Sequence, residues 1–137
     1  MKYINTVISI TVIFLVVLTV INGEVLRPKL KHLHHLSIIL NSLPNFAGSF
    51  ILYMLILGGM GNQTLNRYKA IRTKVLMVCL GLLVIAFLSI EEYVPFFTAN
   101  KTFDINDILA NIVGVFCAYI LFNFLIYKYL KNRVENC

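Results

Sequence analysis

"ILANIVGVFCAYILFNFLIY", residues 108–127, is a run of twenty residues without a single charge. A helix rises 1.5 Å per residue, so about 20 residues cross a hydrocarbon core roughly 30 Å thick. The run reads as a transmembrane helix. Working outward, uncharged hydrophobic stretches also occur at about 4–22, 43–60 and 75–90. The third extends through Glu91 and Glu92 to Tyr93, which puts both glutamates at the membrane interface. None of the runs alternates with the period of two that a closed barrel in lipid would need. The expected fold is therefore all-α: one domain, residues 1–137, forming an integral membrane bundle of four transmembrane helices at about 4–22, 43–60, 75–93 and 108–127.

Composition agrees. The chain is 59% hydrophobic and 13% charged, with a mean hydropathy of +0.83, and a soluble domain of 137 residues would need more polar surface than this. The net charge of +6 does not indicate nucleic acid, because the basic residues sit in short runs between apolar blocks and no basic face with interleaved aromatics is present. With four spans, the N-terminus, the 61–74 connection and the C-terminal tail share one side. That side carries Lys2, Arg67, Lys69, Arg72, Lys74, Lys128, Lys131 and Arg133, against Arg27, Lys29, Lys31 and Lys101 on the other. The positive-inside rule then places both termini in the cytoplasm. The first run could also be read as a signal peptide cleaved near "VINGE", but it is long for that and Val20–Asn22 is a poor small-x-small site, so a retained helix is expected.

The connections add little chemistry. "RPKLKHLHHLSIIL" (27–40) has Leu30, Leu33, Ser37 and Leu40 at helical spacing, the pattern of a basic amphipathic piece lying in the interface plane of an outer loop over 23–42. His32, His34 and His35 lack a completing cysteine or nearby carboxylate other than Glu24, so they read as a solvated or headgroup-facing cluster, with no metal expected. The glycines of "GGMGNQTLNRYKAIRTK" (58–74) do not end in the G-K-[ST] of a phosphate loop, and no cofactor is expected. Cys79 and Cys117 lie inside apolar runs and Cys137 ends the chain. Three is an odd number with no CxxC, so no disulfide framework is expected and the cysteines in the runs read as small buried apolar residues.

Polarity is concentrated elsewhere. Asp104 and Asp107 precede the fourth run with the D-x-x-D spacing of an approximate capping box, where carboxylates meet free N–H groups and the positive end of the helix dipole. Asp107, Asn111, Gly114 and Ala118 then follow one face of the helix. Gly114 and Ala118 form a small-x-x-x-small pair that admits another helix backbone, and Asn111 can hydrogen-bond across such a contact. Glu91 and Glu92 end the preceding span on the same side, and antiparallel packing is expected to bring them near Asp107 and Asn111. Ionisable groups at a membrane boundary are functional candidates. The bland reading is that these acids stay wet, with Lys101 as a counter-ion.

Over residues 80–121 the sequence resembles the VanZ-like family of small membrane proteins. Glu92 stands at the family's glutamate, Lys101-Thr102-Phe103-Asp104 is similar to R-[ST]-F-D, and Asp107, Ala110, Asn111 and Gly114 match D-x-x-A-N-x-x-G. Pro95 replaces a glutamine, Lys101 the arginine, Ala118 a second glycine, and Asn45, Phe46 and Ser49 stand where the family has an aspartate-lysine-histidine element. The pattern is that of a divergent member. What the resemblance implies is a bacterial cell-envelope membrane protein of a family linked to teicoplanin-type glycopeptide resistance.

Two functional readings stay open. In one, a non-enzymatic protein of the bacterial plasma membrane binds an envelope lipid, precursor or amphiphilic drug at the outer mouth of the third and fourth spans. Glu92, Asp104 and Asp107 form its acidic rim, Asn111 its polar anchor and Lys101 its contact to phosphate or carboxylate. In the other, an enzyme acts on a lipid-linked substrate with Glu92 or Asp107 as acid or base, although no nucleophile motif, metal-ligand spacing or glycine-rich cradle accompanies them. A small transporter subunit is a weaker third reading, since no charge lies at mid-membrane depth and no inverted repeat is visible. Membrane lipids are the expected partners, and self-association through Gly114 and Ala118 stays open.

Overall fold

The computed structural model describes residues 2–30, 32–60, 71–93 and 104–135. Helices account for nearly all of them: α1 (Lys2–Ile21), a single π-helical turn (Asn22–Leu26), α2 (Arg27–Leu30), α3 (His34–Gly59), α4 (Ile71–Tyr93) and α5 (Ile105–Glu135). Four segments, Ile4–Leu30, His34–Gly59, Thr73–Glu92 and Ile105–Ile126, are long and apolar enough to cross a membrane. The expected all-α bundle of four spans is the fold.

The extents differ from expectation in one place. Residues 23–42 do not form an outer loop with a separate amphipathic piece. The first span continues through the π turn and α2 to Leu30, and α3 begins already at His34. Between them the Leu33 N–H donates to the Leu30 carbonyl at 3.0 Å, closing a tight helical hairpin. The physical reason is that charge marks depth in the membrane but does not break a helix. At the interface the backbone still satisfies its polar groups most cheaply within the helix. Even Pro28 is accommodated, since the Arg27 N–H donates to the Asn22 carbonyl, a π-type bond that shifts the register just before the proline.

α3 is the hub, making its most extensive contact with α5 and lesser ones with α1 and α4, while α4 leans chiefly on α5. Tyr53, Met54 and Leu57 of α3, Met77 of α4, and Ala118, Phe122 and Ile126 of α5 are buried together. Tyr53 donates its hydroxyl to the Met77 carbonyl at 2.7 Å. Gly81 makes room for that arrangement, because a Cβ there would lie 3.2 Å from Val115 Cγ1 and 3.3 Å from the Tyr53 ring. The outward faces are apolar and open, with Ile13 and Phe14 on α1, Leu82 and Leu83 on α4, and Phe116 and Phe124 on α5 among the exposed side chains. Cys79, read as buried, is exposed on such a face. These surfaces suit acyl chains, which are as apolar as leucine and leave helix association to close packing.

Candidate functional site

The polar residues gather at one end of the bundle, the end bearing the 31–33 connection and the start of α5. Asp104 is the helix cap: its Oδ1 accepts from the Asn106 backbone N–H and from Asn106 Nδ2, both at 2.9 Å. The Asp107 N–H donates to the Asp104 carbonyl at 3.1 Å, so the first turn of α5 is closed. Among the described residues Asp107 makes no reciprocal bond of the kind a capping box would have. Its Oδ1 is buried and, among the described residues, has no hydrogen-bond partner. One turn further in, Asn111 is 3% exposed, and Glu92 at the end of α4 is 2% exposed. Lys101 lies outside the described residues.

The helix that Gly114 admits is α3. A Cβ at Gly114 would run into Ser49 Oγ and stand 2.5 Å from the Phe46 carbonyl oxygen, so the two backbones touch there. Ser49 spends its hydroxyl locally, donating to that same carbonyl at 2.9 Å. Ala118 is fully buried in the same stripe. A second copy of the chain reaches this face only by displacing α3. Glu92 sits on α4, a different helix from the α3 that this stripe faces.

Beyond the contact the two helices leave space between them. A cleft of about 500 Å³ opens between α3 and α5, lined by Ile38, Ile39, Ser42, Leu43 and Phe46 on one side and by Asn106, Leu109, Ala110 and Val113 on the other. α3 and α5 run in the same direction, since 38–43 faces 106–110 while 46–50 faces 114, as alternate spans must. The lining is apolar except for Ser42 and Asn106. Ser42 Oγ is buried without a hydrogen-bond partner among the described residues.

The opposite face of α3 carries a second polar arrangement, which the sequence reading passed over. Pro44 lies inside α3 and has no N–H for the Leu40 carbonyl one turn back. That orphaned carbonyl accepts from Asn22 Nδ2 at 2.7 Å and from Arg27 Nε at 3.1 Å, and Arg27 Nη2 donates to the Asn41 carbonyl at 2.8 Å. Asn22 is fully buried, aimed at α3 from the π turn. The signal was present in the proline within an apolar run, which frees a carbonyl four residues upstream; the donors that find it are legible only in space. His32, His34 and His35 are all exposed. The His34 and His35 rings meet edge to face with centroids 5.7 Å apart. Among the described residues no group of three His, Cys, Asp or Glu is placed to hold a metal ion.

Four apolar spans with polar groups turned inward at one end define a multi-pass membrane protein. The chain matches no family model, no curated protein and no solved structure.

Proposed function

We propose that this chain is a non-enzymatic protein of the bacterial plasma membrane, of the VanZ-like type, that holds an amphiphile of the cell envelope: a lipid, a lipid-linked precursor or an amphiphilic drug. The observation that carries the reading is the α3–α5 cleft, whose volume of about 500 Å³ falls in the ordinary range of ligand pockets, roughly 300–1,000 Å³. Its walls suit an acyl chain. Its polar end is supplied by Asn106 and Ser42, and Asp107, with one buried carboxylate oxygen, follows Asn106 in the chain.

Among the described residues Asp107 Oδ1 and Ser42 Oγ lack hydrogen-bond partners, and a buried polar atom without one is costly. A head group rich in hydroxyl or ammonium donors would relieve that cost at Asp107. Asp104 keeps its capping role. By the distribution of lysine and arginine the termini are cytoplasmic, which opens the cleft toward the outer leaflet.

The test uses the full chain in a non-ionic detergent with a phosphatidylethanolamine bearing a photoreactive group on one acyl chain. Crosslinks are expected to concentrate on 38–46 and 106–113. Ala110→Phe, which fills the cleft, should remove most of them, and Asp107→Ala should weaken retention without loss of folded protein. Labelling spread evenly over the lipid-facing sides of α1 and α4, and unchanged by Ala110→Phe, rejects the reading.

A further inference from the structure

The second polar face carries a site of its own. Arg27 is held by two backbone carbonyls, Leu40 and Asn41, through Nε and Nη2. The guanidinium has five N–H donors in one rigid plane, so three remain, and their direction is fixed by the two bonds already made. Beside it lies a pocket of about 250 Å³ lined by Arg27, Pro28, Ser37, Leu40 and Asn41. Neutral carbonyls satisfy the geometry of the guanidinium but do not cancel its charge, and a half-buried cation at a membrane boundary is costly until an anion meets it.

We propose that this pocket binds a phosphate group, that of a phospholipid head in the leaflet bordering the 31–33 hairpin. Arginine matches phosphate with two parallel N–H bonds, a fit that lysine cannot make. Ser37 places a hydroxyl on the same wall, and Asn41 borders it. Exposed Lys29, His32, His34 and His35 surround the hairpin, and the lysine draws anions toward it. The proline on α3 is thus the origin of the site. By orphaning Leu40 it fixes Arg27 in place, and Arg27 so fixed lines the pocket. The site lies on the face of α3 turned away from the α3–α5 cleft and does not depend on it.

The experiment measures lipids retained by the intact chain in non-ionic detergent, using native mass spectrometry. Phosphatidylglycerol is compared with diacylglycerol of the same acyl chains, with inorganic phosphate as competitor. Phosphatidylglycerol should be retained and diacylglycerol lost. Arg27→Lys should weaken retention about tenfold, because the planar fork is gone while the charge remains. Arg27 also supports α3, so Ser37→Leu is the second arm: it fills the pocket and leaves both carbonyl bonds intact, and it too should lower retention while the thermal transition stays in place. Displacement of the lipid by equimolar inorganic phosphate would uphold the phosphate pocket and overturn the lipid as its source. Equal retention of diacylglycerol, or full retention of phosphatidylglycerol by folded Ser37→Leu protein, overturns the proposal.

Discussion

Replacing Gly114 by alanine adds one methyl group, and the geometry says what that methyl must displace. It runs into Ser49 Oγ and lies 2.5 Å from the Phe46 carbonyl oxygen, whereas contact becomes ordinary only beyond 3.4 Å. The hydroxyl can rotate away, giving up its bond to Phe46, worth about 0.5–1.5 kcal/mol. The carbonyl cannot, because it is fixed in the α3 backbone. The helices must therefore part by roughly 0.9 Å, and a gap of 0.5–1 Å forfeits a quarter to a half of each contact's attraction along the seam. Overpacking of this kind costs about 1–3 kcal/mol, so with the lost hydroxyl bond the expected destabilisation is about 2–4 kcal/mol. The assay is equilibrium unfolding in mixed micelles of non-ionic detergent and dodecyl sulfate, followed by circular dichroism. Gly48→Ala is the control, since a Cβ there meets nothing within 4 Å. Alanine's better helix propensity should leave that variant unchanged or up to about 1 kcal/mol more stable. Adding Ser49→Ala to Gly114→Ala should recover only the hydroxyl's share, about 1 kcal/mol. A Gly114→Ala protein within about 0.5 kcal/mol of the parent, the level of an inconsequential surface change, or complete rescue by Ser49→Ala, refutes the close α3–α5 contact.

The proline network makes a coupled prediction. Asn22→Ala should cost about 1 kcal/mol by removing one donor to the Leu40 carbonyl, and clearly less in a Pro44→Ala background, where residue 44 regains an N–H for that carbonyl. A double-mutant cycle in the same micelles measures this, and a coupling of zero would show that Asn22 acts elsewhere. Asp104→Ala should lower stability by about 0.5–2 kcal/mol through loss of the α5 cap, while Asp104→Asn or Asp104→Ser should restore most of it. Hydrogen exchange in the first turn of α5 distinguishes this from a ligand role, since a cap acts on those amides with no ligand present.

What could be read from the sequence followed the physics of the bilayer closely. The four apolar runs are long because hydrocarbon thickness requires it, and an all-α reading needed nothing more. The ends of the spans were less legible. Gly23, Glu24, Arg27, Pro28 and three histidines suggest a loop between the first two runs, yet hydropathy reports depth and not backbone hydrogen bonding, and the helices continue through the polar zone. The stripe Asp107–Asn111–Gly114–Ala118 was visible as a face because helical periodicity is local. Its partner was not, because a glycine shows that something comes close without showing what. Phe46 and Ser49 supply the answer from a span more than sixty residues away in sequence. The role of Asp104 as a cap was legible because cap geometry is written in adjacent residues. Arg27 and Asn22 were not, since the carbonyl they satisfy belongs to a different helix.

Those two kinds of polarity converge on α3, and their placement bears on what the molecule is for. A chain that needed only to cross a membrane four times could fill α3 with leucine. Instead its half nearest the hairpin carries Ser37, Asn41, Ser42, Pro44 and Asn45, and part of that polarity is satisfied by neighbouring helices while part is not. Polar groups in a membrane helix are costly unless partnered, and replacing half-satisfied ones by apolar residues of similar size generally stabilises a fold. Asn22 and Arg27 explain the Leu40 carbonyl, but they do so at the expense of bringing a cation to the boundary; Asp104 explains the start of α5, but the next acid, Asp107, has a buried oxygen unmatched among the described residues. Stability accounts for the bonds to the Leu40 carbonyl and for the Asp104 cap, but not for the Arg27 charge or the Asp107 oxygen. The two proposals meet at this point: an anion from outside the chain would answer the charge at Arg27 on one face of α3, and a donor-bearing head group would answer the Asp107 oxygen beside the cleft on the other.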